Sequence, residues 1–147
     1  MIDLQIERLN QMLEHEMAAM VRYLHHSIVV PSIGRGPIVD LMETRAKESM
    51  AHAKVLGNKV MALGGHSSVK VSEVFEPGPQ QTTREMLEED LEEEKKAVEE
   101  YLELLQLVKD DVPLEFMVRS IFLEEQAHVE SLEIMLREES TTRRGSK

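Results

Sequence analysis

His66-Ser-Ser-Val-Lys-Val-Ser-Glu-Val-Phe-Glu-Pro-Gly-Pro-Gln-Gln81 decides the architecture, because it is the long interruption in a chain that otherwise reads as helix. Its serines, glycine and prolines, with the short Val69-Lys-Val71 stretch between, are too irregular for a helix. Sixteen residues are also more than two adjacent antiparallel helices need to turn. The segment reads as a crossover, with a helical hairpin on either side.

Upstream, from about Asp3 to Val30, Ile6, Leu9, Leu13, Glu16, Met20 and Tyr23 recur at steps of three and four, the inward seam of a bundle helix. Pro31-Ser-Ile-Gly-Arg-Gly-Pro37 reads as a loop, with Pro37 in the first turn of the next helix. That helix has the seam Val39, Met42, Ala46, Ser49, Ala53, Leu56, Val60 and Leu63 and stops at Gly64-Gly65. Downstream, Thr82-Thr-Arg-Glu85 is a capping box opening a third helix, whose seam is Leu87, Leu91, Glu94, Val98, Tyr101, Leu105 and Val108. Asp110-Asp-Val-Pro113 breaks it and begins a fourth, with Leu114, Val118, Ile121, Glu125, His128, Leu132 and Met135 inward. The expected fold is therefore all-α: an antiparallel four-helix bundle over residues 1–138, with one long crossover between its second and third helices. Residues 139–147 are expected to be a polar, disordered tail.

Composition narrows the chemistry. The 147 residues contain no cysteine, which removes thiolate metal sites, iron–sulfur clusters and cysteine nucleophiles together. With 28 acidic against 17 basic residues, a net charge of −11 repels nucleic acid and anionic membranes and favours cations as partners. The start, Met1-Ile-Asp-Leu-Gln-Ile-Glu-Arg8, lacks the pattern of a signal peptide, and no uncharged run is long enough to span a membrane. A soluble cytoplasmic protein is expected.

Polar residues inside the seams carry the functional signal. Buried carboxylates lose several kcal/mol of hydration each and persist when paired or bound to a cation. Glu125-Gln-Ala-His128 sets a carboxylate and an imidazole one turn apart on one helix face. The halves also repeat: Glu16 precedes Tyr23 by seven residues and His52 by 36, while Glu94 precedes Tyr101 by seven and His128 by 34. Glu16, His52, Glu94, Glu125 and His128 form an oxygen-rich set with two imidazoles, suited to iron or manganese and tolerant of zinc. The bland alternative, hydrogen bonds from the glutamates to Tyr23, Tyr101 or water, does not account for the matched positions. His15, His25, His26 and His66 lie outside the repeat and are expected to be solvated or in supporting roles, and the runs Glu88-Glu-Asp90 and Glu92-Glu-Glu94 mostly to form a solvated face.

Four stretches in order resemble the bacterioferritins: Leu9-Asn10 with Leu13, Glu16, Ala19 and Tyr23; Arg45-Ala-Lys-Glu-Ser-Met-Ala-His52-Ala53; Asp90-Leu91 with Glu94; and Glu125 with His128. The resemblance implies a ferritin-like bundle that oxidises ferrous iron at a di-iron centre and stores the ferric product in a protein shell. It implies a homo-oligomer, at least a two-fold dimer, although the fifth short helix of bacterioferritin shells has no counterpart. Met50 matches the methionine that ligates haem across a two-fold interface in that family, and Met is also common in helical cores. One ligand is missing. The family supplies a glutamate three residues before His52, where this chain has Ser49; Glu48 is adjacent but lies about 100° around the helix from it.

The function expected from these residues is oxidation of ferrous iron by dioxygen or peroxide for storage or detoxification. Glu125 would bridge, Glu16 and Glu94 would be terminal or bridging, and each histidine would cap one metal position. Tyr23 and Tyr101 would either pack the core or supply electrons. A di-iron or di-manganese peroxidase or oxidase acting on an organic substrate, and a storage or scaffold subunit impaired by Ser49, are the alternatives.

Overall fold

A computed structural model describes residues 2–31 and 34–145, with side chains described as far as Arg137. It contains four helices, α1 (Ile2–Val29), α2 (Arg35–Ala62), α3 (Thr83–Leu107) and α4 (Val112–Gly145), and no strand among the described residues. At 1.5 Å per residue, the 28 residues of α1 span about 42 Å. The chain divides into two compact units, residues 1–80 and 81–147, each a helical hairpin: α1 packs along α2, and α3 along α4. The expected tail over 139–147 falls on residues whose side chains lie outside those described.

In the first hairpin the expected seam is buried at Leu9, Leu13, Glu16 and Tyr23 of α1 and at Met42, Ala46, Ser49, Ala53, Leu56 and Val60 of α2. α2 begins two residues before the expected Pro37, which still sits in the first turn, where its missing N–H costs nothing. The early start has a cause. Arg35 turns back onto the C-terminal carbonyls of α1, donating from Nε to Val30 O at 3.0 Å and from Nη2 to Ser27 O and Ile28 O, both at 3.3 Å. These are carbonyls that a helix end leaves without intrahelical partners. α2 ends as expected at Gly64, whose φ of +89° suits a residue without Cβ. Gly65 is needed for a different reason, since a Cβ there would lie 2.7 Å from Ile6 Cγ2.

The crossover is tied along α1. Asn10 donates from Nδ2 to His66 O at 3.0 Å and accepts from Ser68 N at 2.9 Å, using its amide as a substitute peptide group. Ser68 Oγ donates to Glu14 Oε2 at 2.7 Å, Ser72 N donates to Glu14 O at 3.2 Å, and Ser67 Oγ donates to Gly57 O on α2 at 2.5 Å. His25 pairs with Glu76 farther along. Side chains of α1 thereby supply hydrogen bonds to a segment with no ladder or helix of its own.

In the second hairpin, α3 opens on the expected capping box: Glu85 N donates to Thr82 Oγ1 at 3.1 Å, and Thr82 N donates to Glu85 Oε1 at 2.9 Å. The same contacts hold the Glu85 carboxyl below its ordinary value of 4.5, the backbone bond from Thr82 contributing most. Asp111 opens α4, accepting from Leu114 N at 3.1 Å. Leu87, Glu94, Tyr101 and Leu105 are buried on α3, Val108 at its C-cap, and Leu114, Val118, Ile121, Glu125, His128 and Leu132 on α4. Arg84 Nη1 donates to Leu136 O at 3.4 Å, joining the start of α3 to the far part of α4. No helix among the described residues is long and apolar enough to cross a membrane.

Candidate metal centre

Glu16 follows Leu9 and Leu13 on the inward stripe of α1, and His52 follows Ser49 on that of α2. Packing those stripes together places His52 Nδ1 3.3 Å from Glu16 Oε2, with the residues 5% and 3% exposed. The second hairpin repeats the pairing: His128 Nδ1 on α4 lies 3.7 Å from Glu94 Oε2 on α3. It adds a third donor, Glu125 Oε2, 3.5 Å from the same nitrogen and one turn earlier on α4. Ligand atoms of Glu94, Glu125 and His128 all lie within 4.8 Å of one another.

These spacings suit a shared cation. Donors bonded at about 2.1 Å to one ion stand about 3.0 Å apart in octahedral and about 3.4 Å apart in tetrahedral geometry. The pairs at 3.3, 3.5 and 3.7 Å need little adjustment to reach either arrangement. The donors are carboxylate oxygen and imidazole nitrogen without sulfur, a combination that fits iron or manganese. Burial strengthens the argument, since three carboxylates at 3% exposure each have given up hydration that a cation can replace.

At the position three residues before His52, matching Glu125 before His128, stands Ser49, 5% exposed. The Glu48 side chain is 35% exposed, with Oε1 3.5 Å from Arg45 Nη1. Tyr23 and Tyr101 are buried two turns beyond Glu16 and Glu94, about 10 Å along each helix, and helical side chains lean back toward the N-terminus. The Arg22 guanidinium stands 4.8 Å from the centre of the Tyr23 ring. Met50 is 55% exposed, so core packing does not account for it.

Asp90 is fully buried, although it belongs to an acidic run expected mostly to face solvent. Of the two places open to His26, solvent or a supporting role, the structure takes it out of solvent, and Arg22 of the same helix is buried as well. For Asp90 a signal was available, since it follows Leu87 by three residues and precedes Glu94 by four, which puts it on the inward stripe. His25, by contrast, is half-buried against Glu76, and His66 is exposed.

The family model for the ferritin-like domain matches residues 6–141. The chain belongs to the ferritin-like family. Among solved structures it is similar to a ferritin-like di-iron-carboxylate protein from Bacillus anthracis, with 25% identity, a TM-score of 0.86, and coverage of 92% of this chain and 96% of the other. It is also similar to Rhodobacter capsulatus bacterioferritin, with 27% identity, a TM-score of 0.82, and 92% and 84% coverage. That structure is described as having a metal-free dinuclear site and haem iron. A dodecameric thioferritin from Bacteroides fragilis shares the fold with a TM-score of 0.91 at 19% identity, covering 99% of this chain and 91% of the other. No curated protein matches the chain significantly in sequence. The ferritin-like fold is an all-α four-helix bundle, and the expected class is the observed one.

Proposed function

We propose that this ferritin-like protein binds ferrous iron through Glu16, His52, Glu94, Glu125 and His128 at a two-metal site and oxidises it for storage or detoxification. The observation that carries the reading is the buried glutamate–histidine pair made once in each hairpin, at 3.3 and 3.7 Å. Likeness to a di-iron-carboxylate protein supports it. Ferrous iron is the substrate: two ions give up one electron each, reducing dioxygen to peroxide, or peroxide to water, with protons from solvent.

The chain's own residues have separable roles in this reading. The carboxylates neutralise the incoming cations and favour the ferric product over the ferrous, because the higher charge gains more from anionic donors. Glu125, to which the family resemblance gives the bridging role, would hold iron with His128, and the imidazole nitrogens of His52 and His128 would each complete one position. Tyr23 and Tyr101 are one-electron donors near the two positions. Ser49 leaves the site one carboxylate short of the family pattern, and Glu48, beside Arg45, is the candidate replacement. Manganese or zinc would use the same donors. Met50, exposed on α2, would bind haem between two copies of the chain, and the exposed Val21, Leu24 and Ile28 of α1 support self-association into at least a two-fold dimer.

Rapid mixing of the metal-free protein with ferrous iron in the presence of dioxygen tests the reading. Iron oxidation well above the protein-free rate is the expected result. A rate equal to that of buffer, with full retention of iron binding after His128→Ala, would overturn it.

A further inference from the structure

We infer that Arg22 tunes Tyr23: the guanidinium over the ring makes this tyrosine harder to oxidise by one electron, a reserve donor rather than a ready one. The inference deepens the reading of Tyr23 as an electron donor and rests on it for its functional meaning. Arg22 and Tyr23 are neighbours on α1, and both are buried. The guanidinium Cζ stands 4.8 Å from the ring centre, inside the range at which a cation and a π face attract. Burial gives the contact its weight. An arginine stays protonated in such a place, and its field is little weakened where water is excluded. The repeat does not carry the cation over: where the first hairpin has Arg22 before Tyr23, the second has Glu100 before Tyr101.

Removing an electron from Tyr23 strips charge from the π cloud that the guanidinium faces, so the attraction is lost on oxidation. The reduced ring is favoured, and the potential for one-electron oxidation rises. In the proposed reaction hydrogen peroxide takes up two electrons and two protons to give two waters. Where a single ferrous ion supplies one electron, Tyr23 supplies the other together with its phenolic proton and is left as a neutral phenoxyl radical, solvent giving the second proton. Arg22 acts through Tyr23 as a positioning residue, setting how strong an oxidant must be before the ring yields.

The chain has two tyrosines and no tryptophan or cysteine, so Tyr101→Phe leaves Tyr23 as the one readily oxidised aromatic side chain. The metal-free full chain with that substitution is oxidised by photogenerated ruthenium(III) tris(bipyridine), persulfate serving as final acceptor, and the phenoxyl radical is followed by absorbance and electron paramagnetic resonance. Arg22→Met, which keeps an apolar stem without the charge, should speed radical formation roughly tenfold. Arg22→Lys, which keeps the charge, should stay near the starting rate. No gain in Arg22→Met, or the same gain in Arg22→Lys, would overturn the inference. So would a gain matched by greater acrylamide quenching of Tyr23 fluorescence, since the ring would then have been uncovered rather than retuned. Iron takes no part in these measurements, so their failure leaves the proposed iron oxidation standing, and failure of iron oxidation in rapid mixing leaves the effect on Tyr23 measurable.

Discussion

The two hairpins are built alike and equipped differently. Each sets a buried glutamate on its first helix against a histidine Nδ1 on its second, and each carries a buried tyrosine seven residues beyond the glutamate. One turn before the histidine they part, with Glu125 in the second and Ser49 in the first. A repeated backbone with an unrepeated ligand separates what the helices require from what the metal requires. Ser49 satisfies packing, being small and buried, while removing charge.

The largest expected effect comes from removing equivalent histidines. His128→Ala should weaken divalent binding by Glu94 and Glu125 by about a hundredfold or more, at least the loss seen when groups supporting metal ligands are removed. His52→Ala should instead act on the ion held with Glu16. Calorimetry on the two variants reads the difference directly, and equal losses would show that the hairpins act as a single unit.

Next in size is the stability of Ser49→Glu. Without metal, a further buried carboxylate in the first hairpin has no cation to neutralise it, and such a charge costs roughly 3 kcal/mol. For a domain of this length that is about 10 °C in Tm. Divalent metal should recover the loss and stabilise this variant more than the unaltered chain. Thermal unfolding with and without Zn2+ checks it; a metal-free Tm equal to that of the unaltered chain would mean that the new carboxylate reaches solvent.

A smaller effect tests how the first hairpin is closed. At Gly65 an added Cβ would meet Ile6 Cγ2 at 2.7 Å and Val60 Cγ1 at 3.1 Å. Gly65→Ala should cost about 1–3 kcal/mol through overpacking, measured by chemical denaturation. In the second hairpin the turn itself is fixed by a side chain, Asp111 opening α4 by accepting from Leu114 N. Asp111→Ala should therefore cost only about 1 kcal/mol.

Much of this architecture was legible in the sequence because its signals are local. The irregular His66–Gln81 stretch, the Thr82/Glu85 box and the glycine after α2 each follow from a few neighbouring residues, and apolar spacing located most of the buried seam. The glutamate and histidine positions were legible because they interrupt that spacing. What escaped was polar burial without an obvious partner. His26 and Arg22 look like ordinary surface residues in the sequence, and their burial depends on which side of α1 the tertiary packing covers. Asp90 was hidden by its acidic neighbours, although its register with Leu87 and Glu94 marks it as inward. The start of α2 moved because Arg35 bonds to carbonyls of the preceding helix, a contact that no local propensity encodes.

The smallest expected effect concerns the entrance to the second hairpin and is read through pH. Glu85 has its carboxyl held below 4.5 by Thr82, first through the backbone N–H and then through the hydroxyl. Because the folded value is the depressed one, this contribution to stability is complete above the unfolded value. It is lost as pH falls through the folded value. Thr82→Ala removes the hydroxyl and keeps the N–H, so it should move the Glu85 carboxyl part of the way back toward 4.5 and narrow the window of pH over which stability changes. The lost cap itself should cost about 1 kcal/mol at neutral pH. Carboxyl titration by NMR, alongside denaturation at neutral pH and near pH 3, separates the two contributions. An unchanged Glu85 titration would leave the backbone N–H as the whole cause. The first hairpin offers the contrast: α2 starts at Gly34 without a side-chain cap, so no carboxyl at its entrance should report an equivalent change.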